Sequence, residues 1–158
     1  MYAMLNQEVL EHFYHCFKYK DAEGMVSCYH DKVVFTDPAF GTLKGEAAKN
    51  MWRMLLERST TLDIDYSNIS ADAEHGKAHW TATYIFSKTN REVVNHVTSK
   101  FEFKDGKIIR HIDSFNLKIW ANQALGIKST LLHLFGQLKP VVQSNARKTL
   151  IGYIKKRR

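Results

Sequence analysis

Asp113 and His111 stand two residues apart in KIIRHIDSFNL, a stretch whose apolar residues alternate as in a β-strand. If Phe115 points into a core, so do Asp113 and His111. A carboxylate withdrawn from water is a stronger base toward a carbon acid, and an adjacent imidazole can hold or pass on a proton. The expected chemistry is general acid/base work, with Asp113 as base and His111 as its partner. The competing expectation is that Asp113 pairs with His111, Arg110 or a backbone amide and only orders the sheet. Asp37, which precedes Pro38 at the end of KVVFTD, is an alternative base, although Asp-Pro at a strand end is also an ordinary turn former.

Other chemistries lack their residues. His12, His15 and His30 lie in the N-terminal segment without HExxH, Cys-x-x-Cys or a carboxylate cluster, so no metal site is expected. FGTLKG contains neither glycine pattern of a phosphate-binding loop, and no cofactor is expected. Cys16 and Cys28 cannot make a disulfide framework and read as reduced thiols in a cytoplasmic protein.

The elements that must position these groups follow from periodicity. Leu5, Val9, Leu10, Phe13 and Phe17 mark an amphipathic helix over 3–19, and Asp21 can cap a second through AEGMVSCYH. KVVFTD is a short strand, PAFGTLKG a loop, and 46–58 a third helix carrying Trp52. Four strands follow in TTLDIDYSNIS, KAHWTATYIFSK, REVVNHVTSKFEF and KIIRHIDSFNL, with KDG as a hairpin turn. Helices followed by an antiparallel meander predict an α+β domain with helices on one face of a curved sheet. On the KAHWTATYIFSK strand, Trp80, Ala82, Tyr84 and Phe86 share one face and supply apolar walls.

That order, with DPAFGTLKG after the first strand, resembles the nuclear-transport-factor-2-like superfamily over about residues 5–120. Within it the chain is similar to ketosteroid isomerases, limonene epoxide hydrolases and SnoaL-like polyketide cyclases. The resemblance implies a cone-shaped, cystatin-like α+β roll with helices on the concave face, and an aromatic-lined pocket for an apolar small molecule. Asp37-Pro38 matches the base position of the isomerases. Their helix-borne oxyanion Tyr matches Phe13, with Tyr14 one residue away, about 100° around the helix. Their second donor matches Ser99, so that hole is not recognisable. The charged middle-strand pair of the epoxide hydrolases falls near Trp80 and Ala82 and is missing. Asp113 is the counterpart of the SnoaL-like acidic group. On the strand beside it, Asn95, Val97, Ser99 and Phe101 match the inner face of those enzymes. The pocket set is thus Phe13, Trp52, Trp80, Tyr84, Asn95, Ser99, Phe101 and Phe115, serving either cofactor-free isomerase-, cyclase- or hydrolase-type catalysis or binding without chemistry.

Charge is uneven. Of 23 Lys and Arg, nine lie in residues 117–158, where there is no Asp or Glu. A near-neutral body (1–120) with a basic helical extension (121–158) argues against nucleic acid as partner. Leu131, Leu134, Phe135, Leu138 and Ile151 are expected to pack this extension onto the body. Contact of exposed apolar residues with an anionic membrane surface is the less favoured reading. His79, Thr81, Thr83 and Ile85 form a second strand face suited to a homodimer.

Overall fold

A computed structural model describes residues 2–158, with side chains from Leu5 onward. Helix α1 (Tyr2–Lys18) buries Leu10, Phe13, Tyr14 and Phe17, the i, i+3, i+4, i+7 face of its sequence. It ends where Lys20 takes a left-handed φ of 60°. Asp21 then caps α2 (Ala22–Ser27) by accepting from Gly24 N at 2.9 Å. Gly24 leaves room for the Cys16 and Asp21 side chains, both of which would have to shift to admit a Cβ there.

Strand β1 (Tyr29–Asp37) starts earlier than its sequence suggests, so Tyr29 faces the core from a strand and not from a helix. The expected loop PAFGTLKG contains strand β2 (Gly41–Lys44), paired antiparallel to β1. Helix α3 (Glu46–Arg58) has the predicted bounds. Strands β3 (Asp63–Ala71), β4 (His75–Phe86), β5 (Arg91–Lys104) and β6 (Lys107–Ser114) form the meander. The β5–β6 turn places Asp105 and Gly106 at φ 54° and 72°, as a two-residue hairpin needs.

The six strands make one curved sheet in the order β2-β1-β6-β5-β4-β3. Its one departure from the expected antiparallel sheet is the parallel β1–β6 pair, with Phe35 opposite His111 and Thr36 opposite Ile112. This parallel pairing carries Asp37 and Asp113, the next residues on each strand, to the same end of the sheet. The core lies between the concave face and helices α1 and α3.

The extension forms α4 (Leu117–Leu125), α5 (Ile127–Leu134) and α6 (Leu138–Lys156). Gly126 and Gly136 separate them, whereas Pro140 sits in the first turn of α6, where its missing N–H costs nothing. β6 pairs with β5 only from Thr98 onward, which leaves the 91–97 edge open. Gln123 of α4 closes it like a strand residue: its Oε1 accepts from Val94 N at 2.6 Å and its Nε2 donates to Val94 O at 3.1 Å.

α6 returns to the body. Leu138, Val142, Leu150 and Tyr153 are buried, and Arg147 donates to Phe40 O at 2.8 Å and Thr42 O at 3.2 Å. The expectation that all five apolar residues of the extension would pack is corrected here. Leu138 is buried, but Leu131, Leu134 and Phe135 are exposed because α5 turns a different face inward, and Ile151 is exposed on α6, which buries Leu150 and Tyr153 instead.

Candidate active site: a carboxylate-floored aromatic cavity

A cavity of about 340 Å³ opens between α3, β4 and the C-terminal helices. Trp52 from α3, Trp80 and Tyr84 from β4, Phe115 after β6 and Trp120 from α4 form its walls. Trp120 Nε1 donates to Tyr84 Oη at 2.7 Å, which ties α4 to the wall. Val142 and Ala146 close it from α6. Its charged and amide groups are Asp37, Asp113 and Asn95, with exposed Arg58, Lys88 and Asn145, and Ser59, Ser87 and Thr149 add hydroxyls to the lining. Apolar walls with a few convergent polar groups are the usual composition of a small-molecule site.

Asp113 is the end point of a buried hydrogen-bond network. His111 Nε2 lies 2.7 Å from its Oδ1, and Ser99 Oγ donates to the same oxygen. Because the carboxylate can only accept, the imidazole proton sits on Nε2, and Nδ1 accepts from Tyr29 Oη at 2.7 Å. Trp52 Nε1 donates to Tyr29 Oη at 2.7 Å. On the other side, Ser99 Oγ accepts from Tyr14 Oη and Trp80 Nε1, each at 2.9 Å. Every bond therefore points toward Asp113 Oδ1. Among the described residues no buried side-chain polar atom lacks a partner, so the unbonded Oδ2 is the oxygen turned to the cavity.

Burial holds the phenols of Tyr14 and Tyr29 well above their ordinary range, with the charge of Asp113 adding to the effect. They are fixed as donors and cannot serve as bases at neutral pH. Burial likewise pushes the Cys28 thiol up to about 11, which leaves it a poor nucleophile.

Asp37 is the second carboxyl of the cavity. Its Oδ1 accepts from Ala39 N at 2.9 Å and Phe40 N at 2.6 Å, the local turn expected of Asp-Pro. Those bonds favour the carboxylate, but desolvation outweighs them, and Asp113's negative charge acts with it. The Asp37 carboxyl is raised to about 7.

Of the residues proposed from sequence, the structure brings Asp37, Asp113, Trp52, Trp80, Tyr84, Asn95 and Phe115 to one cavity. His111, Ser99, Phe13 and Phe101 do not line it. His111 is fully buried behind Asp113 in an aromatic box. Phe101 lies 4.3 Å and Phe13 5.6 Å from its ring centroid, and Trp52 stacks on it at 5.9 Å. Strand alternation aims Ser99, Phe101 and His111 inward, but α1, with Phe13, fills that end of the cone. Tyr29 and Tyr14 are the members that sequence reasoning missed. The sequence pattern puts Tyr29 in the helical segment AEGMVSCYH, and Tyr14 is one residue from the position matched to Phe13. α1 offers Phe13 and Tyr14 together to the core, and Tyr29 is buried from β1, its ring stacked on Phe13 at 5.7 Å.

The SnoaL-like domain matches residues 10–111. No curated protein matches the chain. Similar solved structures include a protein described as a polyketide cyclase from Xanthomonas campestris pv. campestris, 16% identical, with 78% of this chain and 99% of that one covered at a TM-score of 0.65. An LEH-like epoxide hydrolase from M. tuberculosis is 18% identical, with 85% and 98% covered at 0.65. An NTF2-like protein of unknown function from Burkholderia pseudomallei K96243 is 15% identical, with 77% and 98% covered at 0.67. The match over residues 10–111 places the chain in the SnoaL-like domain family, and the cone-shaped fold and helix-strand order agree with those of the similar structures.

Proposed function

We propose that the protein binds an apolar small molecule in this cavity and moves a proton on it without a cofactor. The observation that carries the reading is the arrangement of two carboxyls in one apolar cavity: Asp113, held on Oδ1 by His111 and Ser99, and Asp37, raised to about 7. Two acids whose surroundings differ in this way divide the roles of base and acid. Asp113 Oδ2 takes a proton from the carbon next to a carbonyl; the electron pair of that C–H bond forms a C=C bond, and the C=O π pair moves onto the oxygen. Asp37, kept protonated toward neutral pH by its burial, gives its proton to that oxygen. Asp113 returns its proton to a different carbon of the conjugated enol while the enol O–H gives its proton back to Asp37, which completes an isomerisation. Alternatively the enol carbon attacks a second carbonyl, whose oxygen takes the proton from Asp113 as the enol O–H returns its own to Asp37, which completes a cyclisation. His111 does not meet the substrate. It positions Asp113, and Tyr29 fixes its tautomer.

The test uses an apolar aryl ketone with exchangeable α-hydrogens, dissolved in D₂O and followed by NMR. The native chain is expected to speed deuterium incorporation, and Asp113→Asn to lose on the order of 10²–10⁴-fold of that rate. Quenching of tryptophan fluorescence by the ketone should persist in the variant, since Trp52, Trp80 and Trp120 remain. Binding without exchange in the native chain would leave a non-catalytic binding module, and absence of both would remove the cavity's proposed role.

The same reading includes a homodimer through the outer sheet face. His79 and Ile85 are exposed on β4, and Thr81 and Thr83 are half-buried between them. Light scattering at about ten micromolar is expected to give twice the chain mass, as a standard-sized stable interface requires. A monomer at that concentration would rule this dimer out.

A further inference from the structure

Helix α5 packs Leu132 inward and presents its other apolar side chains outward. Ile127, Leu131, Leu134 and Phe135 are 81%, 55%, 72% and 76% exposed. Their i, i+4, i+7, i+8 spacing places them in one stripe along and just past the helix. The residue opposite that stripe is Ser129, which is buried, its hydroxyl engaged with the Asn122 side chain and the Gly126 carbonyl. A helix that ignored its surroundings would turn Ser129 out and the four apolar residues in. The orientation is fixed at both ends by Gly126 and Gly136, whose φ values of 63° and 65° suit a residue without Cβ.

The charge around the stripe indicates its occupant. Exposed Lys128 borders it on α5, and exposed Lys139 opens α6. From residue 114 to the C-terminus there is no Asp or Glu. The basic cluster Lys155–Arg158 lies elsewhere, about 28 Å along the 19-residue α6. An exposed apolar stripe flanked by Lys128 and Lys139, in a segment of sequence without Asp or Glu, complements an anionic lipid surface, where apolar side chains enter the headgroup boundary and cations meet phosphates. We propose that α5 docks the protein on anionic membranes. The helices it joins, α4 and α6, supply Trp120 and Val142 to the cavity, so docking would hold the cavity beside the phase in which apolar molecules collect.

The experiment is co-sedimentation of the full chain with sucrose-loaded vesicles, either pure phosphatidylcholine or with roughly one-third phosphatidylglycerol. Binding is expected to the anionic vesicles alone and to weaken with salt. Leu134→Ser with Phe135→Ser is expected to weaken it about tenfold or more at unchanged melting temperature, because both side chains are already in water. Lys128→Gln with Lys139→Gln should weaken anionic binding without altering the fold. Absence of binding, equal binding to both vesicle types, or full binding by the serine variant would overturn the proposal. So would a native dimer that the serine variant makes monomeric, since the stripe would then be covered by a second copy. None of these outcomes depends on the chemistry assigned to Asp113.

Discussion

Replacing His111 with Ala is expected to lower stability by about 4 kcal/mol, the upper range for a single truncation. Two losses combine. The ring is fully buried and sits among Phe13, Phe35, Trp52 and Phe101, so its removal leaves a hole between rigid neighbours that cannot collapse to fill it. Its removal also takes one donor from Asp113 and the acceptor from Tyr29. For a chain of this length that free energy corresponds to a fall in melting temperature of roughly 10 °C. Tyr29→Phe separates the two losses, because it keeps the ring and deletes only the hydroxyl. It leaves Trp52 Nε1 and His111 Nδ1 without their shared partner and should cost about 2 kcal/mol. Thermal unfolding of both variants decides the matter. A His111→Ala protein that melts within a degree or two of the native chain would show that the network does not hold this end of the cone together.

The second large effect depends on pH. Asp37 has an ordinary value of 3.8 and is raised to about 7 in the folded chain. Between those two values the folded state keeps a proton that the unfolded state has lost. Stability attributable to this group is therefore full below about pH 4, falls as the pH rises toward 7, and stays low above it. Asp37→Asn has no proton to lose and still offers Oδ1 to Ala39 N and Phe40 N. It should match the native chain near pH 4 and exceed it at pH 8. A shift of this size bounds the gain at about 4 kcal/mol, and screening by water in the open cavity brings the expected gain to about 2 kcal/mol. Melting temperatures across that range measure it. A difference between the two proteins that does not change with pH would show that Asp37 is ionised throughout, and would take from it the role of acid.

The Asp37 result also bears on the chemistry. If the variant gains stability at high pH and loses deuterium exchange, the same desolvation that destabilises the fold is the source of the proton. Sites that hold acids away from water are costly to the structure around them, and persist where the shifted group is used. Asp113 differs in its support, since two donors meet one of its oxygens, and the two carboxyls need not behave alike despite sharing a cavity.

Local pattern determined much of this molecule. The spacing of Leu10, Phe13 and Phe17 fixed α1. The run from Glu46 to Arg58 fixed α3 to the residue, and alternation fixed the four-strand meander and the inward parity of Asp113, His111, Ser99 and Phe101. These are consequences of a 3.6-residue or two-residue period, which a linear sequence carries in full. Three things were decided only in three dimensions. The parallel β1–β6 pairing joined Asp37 to Asp113 across 76 positions of sequence, and no local rule specifies a partner so distant. Depth within the cone separated residues of equal parity: α1 fills one end and seals His111 and Ser99, while α4 and α6 leave the other end open at Asp113. The face that α5 turns outward was set by the glycines and neighbours around it, so an apolar stripe that periodicity would bury remains in solvent. Periodicity gives the direction of a side chain relative to its own element; what lies in that direction depends on how the other elements pack.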